Sequence, residues 1–298
     1  MRLILVMLAR NEADVIEHSL NWHLASGVDH AIVLDHESTD ATSDILADLA
    51  RTGQVTHIRR GGLFAQSKMT TELVQLAIQR GADWVIPCDA DEFWAFGDRS
   101  LKEPIMACPY NVVRVPTFNF ICTKRDDPAE TNPVLRMRHQ VTRPPNLPKI
   151  PYVLKPCQTK VMFNVAGFRG IAEGNHDVEM DNIRPGRIDG MRINHYPLRG
   201  WEHFHSKVSK GGAALAANKS LAPDIGYHWR RWHRLLLAGK LEKEWSRQNL
   251  GRWRISLLQA LGTLERVDAV AERYLRMIEA RPLEVETPSA EAVEARNW

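Results

Sequence analysis

The first ninety residues alternate between two hydrophobic periods, and no other feature constrains the fold as much. Apolar runs of strand length at 2–8, 30–35, 55–58 and 84–88 are separated by amphipathic stretches of helix length. In 13–26 the residues Ile16, Leu20 and Leu24 share one helical face before Gly27, and in 40–51 Ile45, Leu46 and Leu49 do so before Gly53. A third stretch, 65–79, turns Met69, Leu73, Leu76 and Ala77 inward and stops at Gly81. Glycine just past a periodic segment suits a helix C-terminus. Strand and helix alternating in this way predict βαβ units around a parallel sheet. With 298 residues, 44% of them hydrophobic, the chain can bury one large core, or one main domain with an appendage.

The polar residues between these segments fall at one kind of place. Arg10-Asn11-Glu12, Asp35-His36-Glu37-Ser38, Arg59-Arg60 and Asp89-Ala90-Asp91 each follow a predicted strand. All four clusters therefore gather at the carboxyl edge of the sheet, where open α/β sheets bind ligands. They mix cations with carboxylates where plain turns favour Gly and Asn. Asp89 and Asp91, one residue apart at the end of a buried run, have the oxygen-rich chemistry that suits Mg²⁺ or Mn²⁺ held against a diphosphate. A pair this short arises by chance in a chain with 36 acidic residues, so its weight comes from its surroundings.

Beyond residue 100 the period weakens. The stretch 104–156, with Arg143-Pro144-Pro145, reads as long loops over a site, interrupted by strand-like runs such as 111–115. Residues 159–165 and 190–194 read as later strands. The stretch 227–254 reads as basic helix, with eight Lys or Arg against Glu242 and Glu244, interleaved with Trp229, Trp232, Trp245 and Trp253. Two readings stay open: a segment lying on an anionic membrane, or a helix packed on the main domain with its Trp rings buried and its Arg heads in water. Residues 282–298 are polar and acidic, as in a disordered tail. Cys88, Cys108, Cys122 and Cys157 show no paired or metal-binding spacing and read as reduced thiols. With no signal peptide and no apolar run of the roughly 20 residues a bilayer needs, the chain is expected in the cytoplasm, with peripheral contact on the inner membrane face left open. A net charge of +3 gives no reason to expect nucleic acid.

Together these motifs resemble the family 2 glycosyltransferases, in a bacterial branch with Arg10-Asn11-Glu12, Asp35-His36-Glu37-Ser38-Thr39-Asp40 and Asp89-Ala90-Asp91-Glu92-Phe93. Asn194-His195-Tyr196 and Lys207 extend the likeness over about residues 1–212. The resemblance implies a GT-A, Rossmann-like fold: a mostly parallel sheet flanked by helices over 1–215, its nucleotide half about 1–100 and its acceptor half about 101–215, with a helical extension at 216–281. It implies a hexosyl transfer from a nucleotide sugar, UDP being the expected carrier, to a glycan or lipid-linked acceptor in polysaccharide synthesis.

In that reading Asp89 and Asp91 hold the metal, and His195 is the candidate third ligand, which would favour Mn²⁺ over Mg²⁺. Arg10, Asn11, Glu12 and Asp35 contact the donor, Asp35 at the base or ribose. His36 stands where many relatives have a second acid. Lys68, Lys160 and Lys207, with Arg10, complement the diphosphate, although Lys160 and Lys207 read equally as surface charges. An inverting transfer needs a general base for the acceptor hydroxyl, and Asp177, then Glu173, are the candidates, with His176 beside them. A sugar-nucleotidyltransferase would need a glycine-rich loop after the first strand, and 9–14 contains no glycine. An aspartyl phosphohydrolase would place its acid pair after the first strand. A non-catalytic nucleotide- or sugar-binding module remains compatible with the same fold.

Overall fold

The computed structural model of the chain describes residues 1–147, 149–217 and 226–280. The alternating segments form β1 (Leu3–Ala9), α1 (Ile16–Ala25), β2 (His30–Asp35), α2 (Thr42–Ala50), β3 (Val55–Arg59), α3 (Gln66–Gln79) and β4 (Trp84–Asp89). These four strands pair in parallel, with Val6 opposite both Ile32 and Pro87 and Ile32 opposite Thr56. Successive side chains of a strand point to opposite faces, and β1 sorts accordingly. Leu3, Leu5 and Met7 pack with Ile16, Leu20 and Leu46 of α1 and α2, while Ile4 and Val6 pack with Leu73, Val74 and Ala77 of α3. Helices on both faces explain why β2 is buried at all six positions.

The chain continues through β5 (Glu92–Phe96), α4 (Lys102–Met106), β6 (Val112–Val115), β7 (Thr117–Ile121), α5 (Pro133–Arg136), β8 (His139–Val141) and β9 (Lys160–Asn164). There follow β10 (Phe168–Ile171), β11 (Val178–Met180), β12 (Pro185–Gly186), β13 (Met191–His195), α6 (Trp201–Ala217), α7 (Tyr227–Leu237), α8 (Leu241–Gln248), α9 (Arg252–Ala260), β14 (Leu264–Arg266) and α10 (Ala269–Glu279). Among the described residues the main sheet has the order β12-β6-β9-β4-β1-β2-β3, with β9 antiparallel between β4 and β6. A second sheet has the order β14-β8-β7-β13-β5. The expected α/β class, with a mostly parallel sheet flanked by helices, is what the chain adopts.

The stretch 104–156 is mainly loop, as expected, and the strand-like run at 111–115 is β6; β7, α5 and β8 also lie in it, their runs too short for periodicity to declare. One expectation needs correction. The basic stretch 227–254 is not one helix. Gly239, at φ +66°, ends α7 with bonds from the Gly239 and Lys240 amides to the Leu236 and Leu235 carbonyls, a C-terminal motif that needs left-handed backbone.

Trp232 of α7 is fully buried, edge-on to Phe204 at 5.0 Å and to Tyr152 at 5.2 Å. Trp245 of α8 stacks on Phe204 at 5.4 Å, and Trp229 packs into the same cluster. Three of the four tryptophans thus face protein, and only Trp253 stands 73% exposed. Helix α10 returns to the first half, where the Arg273 guanidinium lies 4.4 Å from the Trp22 ring and donates to Ser26 Oγ at 2.8 Å. The expected tail 282–298 lies outside the described residues.

Candidate active site

The polar loops converge at the carboxyl edge of β1, β2 and β4 as parallel pairing requires. Asn11, at φ +55°, laces the first two loops together. Its Oδ1 accepts from the Thr39 amide at 2.8 Å, and its own amide donates to Ser38 Oγ at 2.9 Å. The Glu12 amide donates to Thr42 Oγ1 at 2.9 Å. Asn11 therefore shapes the loop with its side chain, while Arg10 stands exposed beside it and Lys68 stands exposed on the first turn of α3.

The centre of the site is Arg199, from the segment between β13 and α6, its side chain fully buried. It donates to Glu12 at 2.6 Å and to Asp14 at 2.7 and 2.8 Å, and it approaches Asp91 at 3.5 Å. Lys207 of α6 adds an ion pair with Glu12. Burial opposes charge on all these groups, and the balance differs between them. Asp14 sits below the usual carboxylate range because Arg199 outweighs its burial. Burial of Asp91 is likewise overcome, by the cationic side chains around it, and its pKa falls. At Glu12 burial prevails and the pKa rises.

A second ionic group adjoins the first. Lys160, at the start of β9, places its ammonium 2.7 Å from Asp89 Oδ2 and 2.9 Å from Glu92 Oε1. Asn175 donates to the other oxygen of Asp89 at 3.3 Å. Burial pushes the Glu92 carboxyl up to about 8, whereas Asp89 and Glu92 overcome the burial of Lys160 and keep it charged. Lys160 and Lys207 are thus built into carboxylate networks, which excludes the plain surface reading for both.

His195 ends β13 facing Asp91. Its Nδ1 lies 2.8 Å from Asn119 Oδ1, and the Asn119 amide nitrogen donates to the Val153 carbonyl at 3.1 Å. Asn119 therefore presents an oxygen, so His195 carries its proton on Nδ1 and directs the Nε2 lone pair at Asp91 Oδ1, 3.7 Å away. Burial lowers the His195 pKa and favours the neutral ring. A neutral imidazole, oriented through its other nitrogen and facing a carboxylate, is the donor arrangement of a metal-ligating histidine. Among the described residues no group of three or more His, Cys, Asp or Glu is arranged to hold a metal ion. Asp91 and His195 would offer a cation two ligands, the rest of its shell falling to water and phosphate.

Asp35 is fully buried at the end of β2. Its Oδ1 accepts from the Ser38 amide at 2.9 Å, while Oδ2 has no hydrogen-bond partner and lies 4.0 Å from His57 Nε2, also unpartnered. Both ring nitrogens of buried His36 lack partners too. Buried polar atoms without partners are costly, so this group of side chains has unused hydrogen-bonding capacity.

The turn joining β10 to β11 reaches the site through Asn175. Asp177 instead pairs with Arg114 at 2.9 Å and is 55% exposed, and Glu173 accepts from the Ser67 amide at 3.3 Å at the start of α3. The two candidate bases are near the Asp89 edge but committed elsewhere.

Sequence reading missed Arg199, Asp14, Glu92 as the partner of Lys160, and Asn119. Arg199 lies four residues beyond His195 in a segment already marked, and an arginine there among so many carboxylates was the available signal. Asn119 gave none, being one amide within a short strand.

No protein-family model and no curated protein matches the sequence. Solved structures similar to this one include S. aureus TarS 1-349 in complex with UDP, at 13% identity and TM-score 0.40, covering 74% of this chain and 67% of that one. Another is 4-diphosphocytidyl-2C-methyl-D-erythritol synthase, at 18% identity and TM-score 0.39, covering 64% and 90%. Glucosyl-3-phosphoglycerate synthase from Mycobacterium tuberculosis, in complex with Mn²⁺, UDP-glucose and phosphoglyceric acid, matches at 20% identity and TM-score 0.29, covering 40% and 43%. These likenesses are distant, and the functional reading rests on the geometry of the site itself.

Proposed function

We propose that the chain is a glycosyltransferase that uses a nucleotide diphosphate sugar, with UDP as the expected carrier, and a divalent cation, Mn²⁺ before Mg²⁺. The observation that carries this is the pairing of His195 Nε2 with Asp91 Oδ1 at 3.7 Å, with Asp89 beside them at the carboxyl edge of a parallel sheet. A cation held by Asp91 and His195, with Asp89 next to it, would supply Lewis-acid neutralisation of the charge that develops on a departing diphosphate.

The chain's own residues account for the rest of the site. Asp35 Oδ2, with His57 and His36 around it, offers hydrogen bonds to the base or ribose. Lys160 and Lys207 hold ammonium groups that complement phosphate oxygens, and exposed Arg10 and Lys68 extend that field. Arg199 keeps Glu12, Asp14 and Asp91 in place as a positioning residue. Asp177 is the first choice of base for the acceptor hydroxyl, because its exposed pair with Arg114 is worth only about 0–1 kcal/mol and releases easily, and Glu173 is the second. The acceptor is a glycan or lipid-linked sugar. The absence of glycine in 9–14 weighs against a nucleotidyltransferase.

The test is calorimetric titration of UDP, GDP and CMP with and without Mn²⁺, on the wild type and on Asp89→Asn with Asp91→Asn. The expected result is Mn²⁺-dependent binding of one nucleotide, UDP first, lost in the double variant. Binding that ignores both Mn²⁺ and the substitutions would refute the metal site, and no binding of any nucleotide would refute the donor site.

A further inference from the structure

Helix α9 is apolar on two sides. At about 100° per residue, Ile255 and Leu258 point one way, and both pack into the cluster that holds Trp232 and Phe204. Trp253, Leu257 and Leu261, spaced four apart, lie within about 80° of one another on the other side. They stand 73%, 43% and 65% exposed. A helix with apolar residues on its core face and its outer face is suited to an apolar environment on both.

The charge on α9 itself has one sign. From Trp245 to Leu264 the chain carries Arg247, Arg252 and Arg254 and no acidic residue. Arg252 and Arg254 are exposed and flank the stripe on either side. Arg125, exposed on the neighbouring loop, donates to Ser256 Oγ at 2.8 Å and to the Arg252 carbonyl at 3.1 Å, which lays a further guanidinium along the helix. Lys124 is exposed next to it, while Asp126 is turned inward onto Thr123. Among the described residues no helix is long and apolar enough to cross a membrane.

We propose that the outer face of α9 docks on an anionic membrane surface, with Trp253, Leu257 and Leu261 entering the interface and Arg125, Arg252 and Arg254 meeting lipid phosphates. Charge complementarity selects this occupant: on α9 the stripe is flanked by Arg252 and Arg254 with Arg125 alongside, the exposed acids Asp127 and Glu265 lying outside the helix, so the helix face fits a negative surface, and a second copy of the same stripe would bring like charges together. An indole at one end of a short apolar stripe suits the boundary between headgroup and acyl chain. The contact is independent of the nucleotide site.

The experiment is co-sedimentation of the full chain with vesicles of phosphatidylcholine alone and of phosphatidylcholine with phosphatidylglycerol, at low and high salt. The comparison is Trp253→Ala with Leu257→Ser, both exposed positions, checked for an unchanged melting temperature and unchanged nucleotide binding. The expected result is binding about tenfold stronger to the anionic vesicles, weakened by salt and lowered about tenfold in the double variant. No binding to anionic vesicles at low salt, or equal binding by the variant, overturns the proposal. So does a wild-type dimer that binds no vesicles and becomes monomeric in the variant.

Discussion

Glu244 anchors the C-terminal helices, and replacing it with Gln isolates a stability term that can be worked out. Its side chain is 4% exposed in the first turn of α8. It accepts two bonds from Arg231 at 3.0 and 2.8 Å, and one each from Gln248 at 2.8 Å, Trp232 Nε1 at 3.2 Å and Arg247 at 3.3 Å. Burial alone would raise its pKa, but the bonds from Arg231, Gln248 and Trp232 outweigh burial and hold it at about 2, against 4.5 for an ordinary glutamate. A folded pKa below the unfolded one means stability that is fully present above about 4.5 and lost as the pH falls towards about 2. The gap corresponds to roughly 3 kcal/mol, and partial exposure of Arg231 and Arg247 reduces it to about 2–3 kcal/mol. Urea unfolding followed by tryptophan fluorescence measures it. Glu244→Gln should lose about 2–3 kcal/mol near pH 7, and its difference from wild type should shrink by more than half by about pH 3. A difference under about 0.5 kcal/mol near pH 7, or one that does not change with pH, would refute the assignment.

Four further outcomes are expected. Arg199→Leu leaves Glu12, Asp14 and Asp91 without their shared cation and should cost about 3–5 kcal/mol in unfolding free energy; a cost under about 1 kcal/mol would mean that the network contributes little. Trp232→Ala should cost about 3–5 kcal/mol by emptying the cluster around Phe204, read from the same urea curves. Gly27 sits at φ +99° with a Cβ position 2.1 Å from Ser100 Oγ, so Gly27→Ala should destabilise by about 1–3 kcal/mol, and adding Ser100→Ala should recover only the steric part. Asn119→Leu removes the acceptor that orients His195 and should weaken Mn²⁺ binding about 10–100-fold in a calorimetric titration; unchanged affinity would place the cation elsewhere.

Hydrophobic period and glycine stops are local properties, so the sequence alone determined β1 to β4, the three helices between them, and the edge on which Arg10, Asp35 and Asp89 gather. Parallel pairing of consecutive βαβ units leaves little freedom there. The short strands of the acceptor half were not legible, because β8 and β11 are three residues long and their periods are set by partners distant in the chain. Which side chains meet was decided by tertiary structure. The antiparallel insertion of β9 beside β4 brings Lys160 to Asp89 across 71 positions, and α6 folding back brings Lys207 to Glu12 across 195. Arg199 reaches Glu12 across 187 positions. Within the Trp-rich stretch, tertiary structure packed Trp229, Trp232 and Trp245 and left Trp253 exposed. Composition makes Trp232 and Trp253 equivalent, and only packing against Phe204 and Tyr152 buries one and leaves the other facing water, because contact between segments far apart in the chain leaves no trace in local periodicity.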